Sequence, residues 1–267
     1  MTAGVPDGPV PSSREGRDVL DLIRVQARLR AEDGCPWDRE QTHATLGRHL
    51  LEETHELLEA IDAEDDDAIR DELGDLLLQV TFHAQIAAEE GRWDVDDVAA
   101  GLVAKLVHRH PHVFGDTEVD DAGEVLVNWE RLKAEETGGR RGVDEAIPPT
   151  LPALARAAKV QRRAAGWGFA WPSAEHAVAK AREELDELAA ADDDHAEEEL
   201  GDVLLAVVAL ARARGVDPET ALRRATAKFA ARFEATATLA RDRGVAMEDL
   251  APEELLALYE EAKRAGG

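Results

Sequence analysis

Apolar residues recur along most of this chain at spacings of three and four. Leu46, Leu50, Leu51, Leu57, Leu58 and Ile61 form one such series, and Ile69, Leu73, Leu76, Leu77 and Val80 form another. Residues so spaced share one face of an α-helix, so both segments read as helices. The same patterning predicts helices around 95–109, 121–136, 152–164, 174–191, 196–213, 218–242 and 248–264. The strict alternation of a half-buried strand is nearly absent. The longest apolar run, 203–211, is too short to cross a bilayer and reads as a helix buried on most sides. Ser173, directly after Pro172, is suited to cap the helix that begins near 174. The expected fold is all-α.

Two Asp-rich segments interrupt the pattern, Asp62-Ala63-Glu64-Asp65-Asp66 and Ala191-Asp192-Asp193-Asp194. Each predicts a short connection between antiparallel helices, an αα-hairpin. The clearest break is Gly138-Gly139-Arg140-Arg141-Gly142 through Pro148-Pro149. It divides the chain into a first helical repeat over 17–136, a linker over 137–150 and a second repeat over 151–267. Residues 1–16, rich in Pro, Gly and Ser and without an apolar run, read as a disordered tail rather than a signal peptide.

The two hairpins carry the same acidic pattern. Glu52-Glu53-Thr54-His55-Glu56 precedes the first turn and Glu72-Leu73-Gly74-Asp75 follows it; Glu183-Glu184-Leu185-Asp186-Glu187 precedes the second and Glu199-Leu200-Gly201-Asp202 follows it. In an antiparallel hairpin, residues equidistant from the turn lie at one level. Glu56 and Glu72 are both eight positions from Glu64, and Glu53 and Asp75 both eleven. Glu187 and Glu199 are both six positions from Asp193, and Glu184 and Asp202 both nine. Each helix therefore offers an i, i+3 pair opposite another such pair, although the second loop is shorter by four residues. A single EExxE in so acidic a chain reads as a solvated face. Two copies in matched register read as two clusters of four, Glu53/Glu56/Glu72/Asp75 and Glu184/Glu187/Glu199/Asp202. Asp202 heads the apolar run and is expected to be partly buried. Charge gathered this way calls for a compensating cation, and an all-oxygen set favours Mg²⁺, with Mn²⁺ as a substitute, over Zn²⁺.

Composition sharpens this picture. Fifty-seven acidic residues against 31 basic give a formal charge of −26, which repels nucleic acid and anionic membranes. Apolar residues make up 44%, enough for a core, while aromatics are 4%, which suits aliphatic helix packing. The single cysteine, Cys35, leaves no disulfide framework and fits a reducing cytoplasm. Basic residues are sparse, so their placement is informative. Lys105 and Arg109 follow the first cluster, and Lys228 and Arg232 the second, each pair at i, i+4. Lys180 shares a face with Glu184. These are phosphate-type partners, and an anionic phosphate at an acidic site again requires cations. Cys35-Pro36-Trp37-Asp38 reads as a turn or cap, and the His108–His112 tract, interrupted by Pro111, as structural. Tyr259 could stack on a base or simply pack.

At these residues the chain closely resembles the MazG-type nucleoside triphosphate pyrophosphohydrolases over roughly 17–264. The resemblance rests on CPWDREQTH at 35–43, LLEETHELLEAI at 50–61, DELGDLLLQVTFHAQ at 71–85, KLVHRHPHVFGD at 105–116, KVQRRAAGWGFAW at 159–171 and KFAARF at 228–233. It implies tandem MazG-like repeats of the helical-hairpin or four-helix-bundle type and a tight homodimer. It implies hydrolysis of a nucleoside triphosphate to the monophosphate and pyrophosphate, clearing unwanted or damaged nucleotides. By position, Glu184, Glu187, Glu199 and Asp202 would hold Mg²⁺, with Lys180, Lys228 and Arg232 on the nucleotide. Tyr259 stands where relatives commonly carry Trp, and His195 where a Lys is expected. Glu183 is the candidate to orient or deprotonate the attacking water. The second repeat ranks first as the active one; whether the first also turns over is left open. The alternatives are a non-catalytic nucleotide-binding regulator and a structural helical partner with solvated acidic faces.

Overall fold

The computed structural model describes residues 17–115, 142–145 and 147–265, with scattered positions between 117 and 132. The expected tail over 1–16 lies outside the described residues, as do much of the expected helix over 121–136 and much of the linker. Among the described residues there is no strand, so the all-α expectation holds. The chain contacts divide into two units, Met1–Arg140 and Arg141–Gly267.

The first unit comprises α1 (Arg17–Arg30), α2 (Pro36–Glu40), α3 (His43–Asp62), α4 (Asp66–Glu89), α5 (Val95–Arg109) and the short α6 (Pro111–Phe114). Its centre is the antiparallel pair α3 and α4, with α1 packed on α4. Each hairpin helix starts on a cap. Thr42 and Thr45 close a capping box at α3, and the Asp65 side chain accepts from the Ala68 N–H at α4. Between them Glu64 adopts a left-handed φ of 55°, a conformation disfavoured for residues with a Cβ. Leu46, Phe82, Ile86 and Leu78 form the core. Arg30 of α1 ties the ends together: it bonds to Glu89 on the last turn of α4 at 2.7 Å and to the carbonyls of Asp38 and Gln41.

The second unit comprises α7 (Ala153–Ala165), α8 (Ala174–Ala190), α9 (Ala196–Ala213), α10 (Pro218–Asp242), a 3₁₀ turn (Met247–Asp249) and α11 (Pro252–Ala265). Here α8 and α9 form the hairpin, α7 packs on α9 and α10, and α10 pairs with α11. Ser173 caps α8 as expected, accepting from the His176 N–H. The buried positions are mostly small, Ala177 and Ala181 on α8 and Val203, Ala206, Val208 and Ala209 on α9, the latter spread over more than one face because α9 meets both α8 and α7.

Two expectations require correction. The helix expected from 248 is broken: a 3₁₀ turn ends before an extended Leu250, and α11 starts at Pro252, where proline's fixed φ and missing N–H suit a first helical position. The run 203–211 is not buried on most sides. Leu204, Leu205 and Val207 are each nearly half exposed, because α7 and α8 cover only part of the surface of α9.

Candidate metal and nucleotide site

The acids stand where the buried stripes of the hairpins run on. Along α8 the stripe is Ala177, Ala181, Glu184, at intervals of four and three, so Glu184 occupies the next core position and is itself buried. Along α3, Leu46 and Ala60 are buried and Glu53 lies midway between them on the same face, seven residues from each. On the facing helices, Glu72 precedes buried Gln79, Phe82 and Ile86, and Glu199 precedes buried Val203 and Ala206.

The result is convergence. Glu53, Glu56 and Glu72 each offer a carboxylate oxygen, all within 4.8 Å of one another, and Glu184, Glu199 and Asp202 do the same. The hairpin arithmetic therefore brings together three of each expected four. Asp75 lies outside its triad, though its charge still acts on Glu53 and Glu72. Glu187 lies outside the other and hydrogen-bonds to Glu184. Asp202 is exposed, not partly buried as expected, although it shares a face with buried Ala206 and Ala209.

Electrostatics separates the two clusters. Burial, followed by the charges of Asp75, Glu56 and Glu72, pushes the Glu53 carboxyl above its ordinary range. Burial and then Glu56, Asp75 and Asp71 do the same to Glu72. Glu72 Oε2 is buried and has no hydrogen-bond partner, the situation that a cation or a proton relieves. In the second unit Lys180 Nζ lies 2.6 Å from Glu184 Oε1 and 2.7 Å from Glu183 Oε1. That ammonium holds Glu184 below the usual carboxylate range and is itself held protonated. Glu187 is pushed up, first by its hydrogen bond with Glu184 and then by burial.

The remaining expected site residues are placed less uniformly. Glu183 is exposed and paired with Lys180. Lys228 is exposed on α10 and Arg232 half-buried beside it; no ion pair joins either to the acids of this unit among the described residues. Tyr259 packs at 38° against Phe229, ring centroids 5.8 Å apart, and Phe229 in turn lies against Phe233. Lys105 is exposed on α5, but Arg109 lies over the Trp129 ring at 5.0 Å, a cation–π contact that holds its guanidinium. His195 turns to Asp192 at 2.6 Å. Cys35 stands at the N-cap position of α2 without a side-chain bond, and His110 bonds to the Leu106 carbonyl, a structural role. Sequence reasoning overlooked His49, the counterpart of Lys180 four residues before Glu53. It pairs with Glu52 at 3.1 Å and meets Trp37 edge-on. The i−4 spacing shared with Lys180 was the available signal.

Paired helical hairpins that converge carboxylates on one point define a class of all-α proteins built to present an acidic metal-type site. Comparison with known proteins makes the class specific. The MazG nucleotide pyrophosphohydrolase domain matches residues 41–114 and 174–236, the two hairpins just described with their flanking segments. The nucleoside triphosphate pyrophosphohydrolase of Escherichia coli (strain K12) is 44% identical over 252 residues, covering 91% of this chain and 96% of that protein. The nucleoside triphosphate pyrophosphohydrolase/pyrophosphatase MazG of Thermotoga maritima is 45% identical over 246 residues, covering 91% and 94%. Bacillus subtilis YabN is 44% identical over 241 residues, but the match spans 49% of its length. The chain belongs to the MazG nucleotide pyrophosphohydrolase family, a family of hydrolases.

Proposed function

We propose that this protein hydrolyses nucleoside triphosphates to the monophosphate and pyrophosphate, using Mg²⁺ or Mn²⁺ held by Glu184, Glu199 and Asp202 with Glu187 beside them. The observation that carries this reading is the convergence of those three carboxylates within 4.8 Å in a chain so similar to proteins named for that activity. The donor set fits a hard cation: every group offers oxygen and none offers sulfur or imidazole. When bound, such a cation supplies charge neutralisation for the polyphosphate and an acidified water.

The chain's own residues do the rest. Glu184, buried and kept ionised by Lys180, provides a fixed negative anchor. Lys180, half-buried and shared between two acids, would also donate to a phosphate oxygen of the nucleotide. Glu183 is the group to orient or deprotonate water. Lys228 and Arg232 of α10 would take the pyrophosphate, and Tyr259 offers the base a ring face. The first cluster, Glu53, Glu56 and Glu72 with Asp75, is a second cation site, with Lys105 as its basic partner. A second copy of the chain would cover the apolar stripe of α9, making the working unit a homodimer. A reduced cysteine and acidic surface fit a cytoplasmic enzyme that removes unwanted or damaged nucleotides.

The test is a product assay over canonical and modified triphosphates with and without Mg²⁺. Monophosphate and pyrophosphate are expected. Diphosphate with orthophosphate overturns the reaction, and Mg²⁺-dependent binding without turnover favours a regulator.

A further inference from the structure

The acidic clusters leave unexplained a second group of titratable side chains in the first unit. His43 opens α3 and His83 lies on α4, both farther from the hairpin turn than the acids. Ten residues separate His43 from Glu53, about 15 Å along the helix axis. Arg92 and Trp93 reach the same spot from the turn between α4 and α5. His43 Nδ1 and His83 Nδ1 are 2.7 Å apart, and Arg92 Nη2 is 2.8 Å from His43 Nε2. The imidazole planes are within 4° of parallel with centroids 5.0 Å apart. Nitrogens so close exclude face-to-face stacking, so the rings lie edge to edge with an in-plane hydrogen bond. The Trp93 ring lies against His43, centroids 6.2 Å apart.

The hydrogen positions follow from donor chemistry. Arginine only donates, so His43 Nε2 accepts and carries no proton. A neutral His43 then carries its proton on Nδ1 and donates it to His83 Nδ1, which leaves the His83 proton on Nε2. The chain of bonds has one direction, set by Arg92, and both rings are neutral. Protonating His43 turns an N–H toward the Arg92 N–H. Protonating His83 turns an N–H toward that of His43, and His43 cannot reverse its tautomer without confronting Arg92. No added proton can be accommodated without losing one of the two bonds.

We propose that Arg92, His43 and His83 form a pH-sensitive latch, which holds the turn leading into α5 against the α3–α4 hairpin while both imidazoles are neutral and releases it when either is protonated. The other charged groups at this junction bond to partners other than the imidazoles, Glu90 to the same Arg92 Nη2 that reaches His43. Glu90 pairs with Arg92 at 2.6 Å, and Glu89 of α4 pairs with Arg30 of α1. Asp94 and Asp97 close the capping box of α5. Neither ring is bonded to a carboxylate among the described residues. Burial and then the neighbouring His43 lower the proton affinity of His83 from the ordinary 6.5. A base whose pKa is lowered on folding contributes stability above the unfolded value, and that contribution is lost as pH falls below it. The latch is therefore closed above about pH 6.5 and loosens as pH falls through the lower folded pKa of His83. A metal bridge is a poor alternative. Two nitrogens on a tetrahedral ion, each at about 2.0–2.1 Å, stand more than about 3.2 Å apart, and the guanidinium adds like charge. Because α5 carries Lys105, release would loosen the helix that bears this exposed basic residue.

Amide hydrogen exchange on the full chain tests the latch, read over residues 88–99 at about pH 7.5 and about pH 5.5 after correction for intrinsic rates. Opening at the lower pH is expected to rise about fivefold or more, while His43→Phe, which removes both bonds of the latch, and the double variant His43→Phe/His83→Phe show no pH difference. Should either aromatic variant fail to fold, Arg92→Leu serves. Without the guanidinium His43 can reverse its tautomer and accept from a protonated His83, so the pH response shrinks. Equal opening of the wild type at both pH values overturns the proposal, as does a response that survives in the variants.

Discussion

The two acidic clusters are built on the same hairpin plan, but among the described residues only the second has an ammonium ion bonded to it. In the second unit Lys180 lies one turn before Glu184 and bonds to it. At the same place in the first unit stands His49, which turns to Glu52 and to the Trp37 ring instead. The acids respond accordingly: Glu184 is held below the ordinary carboxylate range by Lys180, whereas burial and mutual repulsion push Glu53 and Glu72 above it. Equivalent carboxylates in equivalent registers are thus poised oppositely by one side chain a turn away. The second cluster presents an ionised anchor over a wide pH range, and the first surrenders charge to protons more readily.

Turnover offers the sharpest way to break the comparison. Glu184→Gln should lower kcat by about 100-fold or more, the scale of losing one group that organises transition-state charge. Glu53→Gln should change it less than about threefold. Comparable losses would mean that the clusters serve one reaction together, and the electrostatic distinction would have no catalytic meaning.

Cation affinity measured against pH gives a smaller but more direct readout. Manganese binding followed by electron paramagnetic resonance in Glu184→Gln reports the first cluster; Glu53→Gln reports the second. A proton released on binding steepens the dependence by at most about tenfold per pH unit. The slope between about pH 5 and 7 should be steeper for the first cluster. Lys180→Met, which no longer holds Glu184 down, should make the second cluster's slope steeper as well. Parallel slopes in all three proteins would remove Lys180 as the cause.

Much of this was legible in the sequence because it depends on local arithmetic. Helical period and distance from a turn place Glu53 opposite the ELGD of α4 and Glu184 opposite that of α9, and capping chemistry starts α8 at Ser173. What the arithmetic could not supply is lateral offset. It paired four acids per hairpin, whereas Asp75 and Glu187 fall outside the triads, because adjacent helical positions differ by about 100°, and Asp202 is exposed. An apolar run such as 203–211 shows that a helix seeks cover, not what covers it, and Leu204, Leu205 and Val207 stay exposed within the unit. Contacts between distant segments were out of reach: Arg109 over Trp129, and His43 against His83, depend on how separate helices lie. The choice of Lys180 between carboxylate and phosphate is a competition between partners that spacing does not decide.

Stability supplies the finest discrimination, and its sign is opposite to the common one for carboxylates. Paired acids usually have lowered pKa values and stabilise a protein above them. Glu53 and Glu72 are raised above 4.5, so between that value and their folded pKa the folded chain binds more protons than the unfolded one. Stability therefore falls as pH rises through this window, and the first cluster is a standing cost at neutral pH. Glu72→Gln removes a charge whose Oε2 has no partner. Without divalent cation it should raise the apparent Tm at about pH 7.5 by a few degrees, and leave it unchanged near pH 4. Added Mg²⁺ should raise the wild-type Tm in the same direction, since a ligand that binds only the folded state stabilises it, and should do so less in the variant. A fall in Tm for Glu72→Gln at neutral pH would show that Glu72 is stabilised in its ionised form, and would erase the contrast with Glu184.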